Sequence, residues 1–182
     1  MKLLCLGDSL TEGYDIDLSK RWTELLEQDM SIEIINCGIS GDTTTGMLAR
    51  CHALLLEHQP SHMLILGGTN DLYFGLKDEL IIANIHAMTR QARFLGIEFL
   101  IGIPTPSINL AELNFVHENY SECIRSFCRA LIRYCEAEET QYVDFSSGMQ
   151  FDHFLADGIH PNEKGQEVMA ATVKSVLIDQ IN

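Results

Sequence analysis

The sequence predicts an α/β protein: a doubly wound parallel sheet with helices on both faces, built as one three-layer domain over residues 1–182. Short runs that are apolar at consecutive positions, such as Leu3-Leu4-Cys5-Leu6 and Met63-Leu64-Ile65-Leu66, have the pattern of strands covered on both faces. Longer stretches of helical spacing separate these runs, so strand and helix alternate five times. A chain of 182 residues with 46% apolar content fills one core and is too short for two comfortable ones.

The first strand stops at Gly7 and is followed at once by Asp8 and Ser9. Ser19 to Asp29 carries Trp22, Leu25 and Leu26 at helical spacing, with Ser19 as the expected cap. Ile32 to Asn36 reads as the second strand and runs into the turn-rich Asn36-Cys37-Gly38-Ile39-Ser40-Gly41-Asp42. Thr43 to Glu57 is expected to be helical, and Met63 to Leu66 is the third strand, ending in a Gly67-Gly68-Thr69-Asn70-Asp71 turn. Asp78 to Phe94 follows as a helix and Glu98 to Ile103 as the fourth strand, closed by Pro104. Residues 104–116 form a connection longer than most loops, which suggests a function for it. His117 to Ala137 reads as a helix, Gln141 to Phe145 as the fifth strand and Asn162 to Ile181 as the closing helix.

Composition narrows the function. Twenty-six acidic residues against twelve basic ones leave a net charge of −14 at pH 7, which repels nucleic acid and anionic membrane surfaces. No run approaches the roughly 18 to 20 apolar residues of a membrane span. The six cysteines, at positions 5, 37, 51, 123, 128 and 135, sit in strand and helix patterns with no CxxC spacing, and reduced thiols are expected. Met1-Lys2 leads directly into the first strand, leaving no room for a cleavable leader, so a cytoplasmic location is expected. The glycine-rich turns lack the GxGxxG spacing, and no Walker lysine is present, so no nucleotide or other cofactor is assigned.

Chemistry-bearing residues collect in the loops that follow strands one, two, three and five, which share one edge of a parallel sheet. Ser9 follows strand one, Gly38 strand two and Asn70 strand three, while Asp157-Gly158-Ile159-His160-Pro161 precedes the last helix. Taken alone, Gly-Asp-Ser also fits an ordinary strand-to-helix turn capped by Ser or Asp. A serine hydroxyl needs a base to become a nucleophile, and among the seven histidines His160 combines a strand-end loop with an acid three residues before it. The Ser9 and Gly38 N–H groups and the Asn70 amide are of the kind that holds an oxyanion. Asp152, His153, Asp157 and His160 match no standard metal spacing, and no metal is predicted. Asp8 and Asp71 read as local hydrogen-bonding supports.

Gly7-Asp8-Ser9-Leu10, Gly38 in its Asn-Cys-Gly-Ile-Ser-Gly setting, Gly68-Thr69-Asn70-Asp71, and Asp157 to Pro161 resemble, in order and spread, the four sequence blocks of the GDSL-type, or SGNH, hydrolases. The resemblance implies a flavodoxin-like α/β/α fold with strand order 2-1-3-4-5. It implies an ester or thioester hydrolase of the lysophospholipase and arylesterase kind, with Ser9 as nucleophile, His160 as base and Asp157 as its orienting acid. Ser9, Gly38 and Asn70 become the oxyanion hole. The expected substrate is a small-molecule ester or thioester with a short to medium acyl chain. Tyr73, Phe74, Leu76, Ile108 and Phe115 are candidates to line its pocket, although the same apolar residues also fit helix packing or an oligomer face. A carbohydrate O-deacetylase on the same triad is the nearest alternative, and a non-catalytic flavin- or nucleotide-binding module the more distant one.

Overall fold

A computed structural model of the chain describes residues 1–181, with side chains described through residue 178. Five parallel strands form the sheet: β1 (Lys2–Gly7), β2 (Glu33–Gly38), β3 (His62–Leu66), β4 (Glu98–Ile103) and β5 (Tyr142–Asp144), in the order β2-β1-β3-β4-β5. The expected fold class and strand order are both observed. The helices are α1 (Ser9–Glu12), α2 (Trp22–Met30), α3 (Thr44–His58), α4 (Thr69–Tyr73), α5 (Asp78–Phe94), α6 (Tyr120–Ala137) and α7 (Glu163–Ile181).

Alternate residues of each strand enter opposite cores, as the period-two geometry of a strand requires. Leu4, Leu6, Met63, Ile65, Ile101 and Ile103 pack against α3, α5 and α6 through residues such as Met47, Ile85 and Phe127. Leu3, Cys5, Leu64, Leu66, Leu100 and Val143 pack against α2 and α7 through Trp22, Leu26, Met169 and Val173. Both sheet faces are therefore dry, which explains why the strand sequences show no in-out alternation. Among the described residues, no helix is long and apolar enough to cross a membrane.

Several element boundaries differ from the sequence expectation, each for a local or tertiary reason. Ser19 does not cap α2; it lies in a separate 3₁₀ turn, Leu18–Lys20. The first N–H of α2 is instead met from the far end of the chain, where Trp22 N–H donates to Gln166 Oε1 at 3.0 Å. The Gly67 to Asp71 segment is not a plain turn, because Gly68 introduces the short helix α4. His117 lies outside α6, with φ of 62°, and the helix begins three residues later because Asn119 caps it by accepting from Glu122 N–H at 3.0 Å.

Candidate active site

The nucleophile candidate sits where β1 meets α1. Asp8 caps α1, its carboxylate accepting from Leu10 N–H at 2.9 Å. From below, the Trp22 indole donates to the Leu10 carbonyl at 3.0 Å. Because Trp22 is itself bonded to Gln166 of α7, the serine turn is anchored to the last helix. Ser9 is held nearly buried at the C-terminal edge of the sheet, beside the switch between β1 and β3 where α/β folds place ligands.

The loop before α7 brings its two polar residues to that edge. His160 Nε2 lies 2.9 Å from Ser9 Oγ, across 151 residues of sequence. His160 Nδ1 lies 2.7 Å from Asp157 Oδ2. Asp157 Oδ1 meanwhile accepts the backbone N–H groups of Ile159 at 2.8 Å and His160 at 3.0 Å. Partial burial pushes the Asp157 carboxyl up, but the bonds from the His160 ring and the two N–H groups outweigh it and hold the group below its ordinary value. Asp157 is thus ionised where it meets the imidazole, and it fixes both the loop and the ring orientation.

The three oxyanion candidates converge on the same edge, and two of them already have partners. Gly38 N–H donates to Asn36 Oδ1 at 2.9 Å, while the Asn36 amide is pinned by the Thr11 carbonyl and the Thr23 hydroxyl. A Cβ on Gly38 would overlap the Glu12 backbone, so the close approach of this loop to α1 requires glycine there. The Asn70 amide donates to the Asp42 carbonyl at 2.9 Å and makes a longer contact of 3.4 Å to Asp8 Oδ2, leaving one hydrogen only loosely engaged. Asp42 is fixed in turn by Arg50, whose guanidinium bonds its carboxylate at 2.9 Å and reaches the Cys37 and Gly7 carbonyls at 2.7 and 2.9 Å. One planar fork therefore ties together the ends of β1 and β2 and the loop that holds Asn70.

Asp8 and Asp71 have the supporting roles expected of them. Asp71 is buried and accepts from both the N–H and the hydroxyl of Thr44, at 2.8 and 2.6 Å. Asp8 is fully buried and also accepts from the Thr69 hydroxyl at 2.9 Å. Burial raises its carboxyl to about 6, against the lowering effect of the Leu10 and Thr69 bonds and of the nearby His160.

The candidate pocket residues do not form a single wall. Tyr73, Phe74 and Phe115 cluster: the Phe74 and Phe115 rings stack at 5.5 Å, and Tyr73 meets Phe115 edge-on at 5.3 Å. Phe74 and Phe115 are both largely exposed. Leu76 faces a separate groove with Lys77, Asn114 and Cys123. Ile108 lies beside the acid loop, its N–H donating to the Gly158 carbonyl at 2.8 Å. The 104–116 connection acts as a strap, since Phe115 N–H also bonds the Tyr73 carbonyl at 2.8 Å and the buried Asn114 amide bonds the Leu72 carbonyl at 3.1 Å. It touches both the α4 segment and the Asp157–His160 loop. Among the described residues, no group of three or more His, Cys, Asp or Glu side chains gathers closely enough to hold a metal ion.

Sequence reasoning missed three contributors. Asn36 had a legible signal, an Asx residue two positions before a loop N–H. Arg50 had none, because two of its three acceptors are backbone carbonyls on two strands. Tyr14, whose ring centroid lies 4.4 Å from that of His160, had none either.

Residues 5–168 match the GDSL-like lipase/acylhydrolase family model. The chain belongs to this family. Membership places it among the carboxylic ester hydrolases. The esterase TesA of Pseudomonas aeruginosa is 34% identical over 170 residues, covering 87% of this chain and 79% of that protein. The thioesterase 1/protease 1/lysophospholipase L1 of Escherichia coli is 28% identical, covering 99% and 85%. Among solved structures, the native M. smegmatis aryl esterase superposes with a TM-score of 0.86 at 21% identity, covering 98% of each chain, a likeness of fold.

Proposed function

We propose that this GDSL-family chain hydrolyses carboxylic esters and thioesters of short to medium acyl length through an acyl-enzyme formed on Ser9. The observation that carries the reading is the continuous relay from Ser9 Oγ to His160 Nε2 at 2.9 Å and from His160 Nδ1 to Asp157 Oδ2 at 2.7 Å. In the first step Ser9 Oγ attacks the acyl carbon while His160 Nε2 takes its proton, and ionised Asp157 stabilises the imidazolium. The carbonyl oxygen becomes an oxyanion, received by the Ser9 N–H, the Gly38 N–H and the Asn70 amide. For the last two, this means sharing or exchanging the Asn36, Asp42 and Asp8 contacts of the free protein. The imidazolium then gives its proton to the departing alkoxide or thiolate, and water repeats the sequence on the acyl-enzyme.

The Tyr73, Phe74 and Phe115 cluster offers an apolar surface for the acyl chain, and the net charge of −14 favours carriers that are uncharged or weakly charged. Thioesters enter the proposal through the thioesterase among the relatives. Six unpaired thiols suit a reducing compartment, and we assign the protein to the cytoplasm on that ground. The residues of the site come from both ends of the chain, consistent with residues 1–182 acting as one domain.

A fluorophosphonate tests the nucleophile: it should add once per chain, on the peptide containing Ser9, and Ser9→Ala should be folded, unlabelled and inactive. Labelling elsewhere, or esterase activity retained in Ser9→Ala, overturns the mechanism. A p-nitrophenyl ester series of increasing chain length, run beside acetylated sugars, tests the substrate class; preference for the sugars moves the assignment to O-deacetylation.

A further inference from the structure

Tyr14 stands five residues from the nucleophile, yet its ring lies against the imidazole supplied from the other end of the chain. The centroids are 4.4 Å apart and the planes are inclined by 37°. The placement is built into the end of α1. Gly13 turns left-handed there, at φ 79° and ψ 59°, which lets both Gly13 N–H and Tyr14 N–H donate back to the Ser9 carbonyl, at 3.0 and 3.1 Å. The backbone of the nucleophile thus fixes the backbone of Tyr14. Tyr14 is 47% exposed and belongs to neither hydrophobic core. An exposed aromatic ring with its backbone held this firmly is not explained by packing.

We propose that Tyr14 is a positioning residue for His160, its ring covering the imidazole and stabilising the imidazolium that forms when Ser9 gives up its proton. The proposal rests on the reading of His160 as the general base. A cation within about 6 Å of an aromatic centroid is attracted to the ring's quadrupole, and neutral imidazole gains much less. The other groups facing His160 are the Asp157 carboxylate on Nδ1, the Ser9 hydroxyl on Nε2 and, from the cap of α1, the buried Asp8 carboxyl. The ionised carboxylates and the electron-rich ring face present His160 with a field of the same sign. It also covers a face of the imidazole that water would otherwise reach, which strengthens the Asp157 pair.

The test is the pH profile of p-nitrophenyl acetate hydrolysis for wild type, Tyr14→Phe, Tyr14→Leu and His160→Ala, with far-UV circular dichroism and Tm recorded for each. Tyr14→Phe keeps the ring and should keep the profile. Tyr14→Leu should retain wild-type Tm and KM, lose about two- to five-fold in plateau kcat, and move the acid limb of kcat/KM down by about 0.3 to 0.7 pH unit. A Leu variant with an unmoved limb, a limb moved to higher pH, or a Phe variant that behaves like Leu overturns the proposal. If His160→Ala keeps its activity, the general-base reading falls and the proposal falls with it. If His160→Ala is inactive and Tyr14→Leu matches wild type, the base stands and only the role of Tyr14 is refuted.

Discussion

The buried carboxyl of Asp8 makes a prediction about stability that depends on which of two opposed effects is larger. Asp8 accepts from Leu10 N–H, the Thr69 hydroxyl and, at longer range, the Asn70 amide, all of which favour its ionised form. Complete burial disfavours that form and prevails, raising the group from 3.8 to about 6. A displacement of that size corresponds to about 3 kcal/mol. Between pH ~4 and ~6 the folded protein keeps a proton on Asp8 that the unfolded chain has released, so stability falls as pH rises through the window, and the cost is fully present at pH 7. Asp8→Asn cannot titrate and so lacks this loss. The comparison between the two proteins also cancels the titration of the distant surface carboxylates. Urea unfolding, followed by the fluorescence of Trp22, the single and fully buried tryptophan, should show wild type losing about 3 kcal/mol relative to Asp8→Asn from pH 3 to pH 7. That is a relative midpoint change of about 1 to 2 M for slopes of roughly 1.5 to 3 kcal/mol/M. A constant offset between the two proteins, or wild type gaining on the variant as pH rises, would refute the argument by showing that the hydrogen bonds outweigh burial.

Two further outcomes follow from the site and the core. Asn70→Ala should lower kcat by about 10²- to 10³-fold with little change in KM, as loss of one oxyanion donor does, and Asn70→Asp should be at least as damaging because its charge opposes the one forming on the substrate. Retention of most of kcat in Asn70→Ala, measured at saturating ester, would return Asn70 to a structural role between Asp42 and Asp8. All six cysteines are unpaired, and burial pushes each thiol above its ordinary value. Titration with a thiol reagent and no reductant should therefore be slow in the native protein and give six equivalents in denaturant, and a smaller number would contradict the unpaired arrangement.

Local patterns in the chain determined most of the architecture. Runs such as Leu3 to Leu6 and Met63 to Leu66 could be read because residues covered on both faces of a parallel sheet have to be apolar at every position. The bounds of α5 and β4 coincide with the sequence expectation because the acidic first turn at Asp78 and Glu79 and the stop at Pro104 are local signals. Ser9, Gly38, Asn70, Asp157 and His160 could be singled out as candidates because loops at one end of parallel strands share one edge. What tertiary structure alone decided are the contacts between distant segments. The start of α2 is met by Gln166, not Ser19, since a helix N–H accepts whichever oxygen the fold brings to it. The candidate pocket residues divide between the Tyr73–Phe74–Phe115 cluster, the Leu76 groove and the acid loop, because the 104–116 strap crosses the site instead of lining one side of it. Arg50 and Tyr14 carry no local signal, since a guanidinium that binds carbonyls of two strands and a ring that covers an imidazole 146 positions away are defined by their partners. Spacing along the chain specifies which face a side chain takes; only the folded distance determines what it meets there.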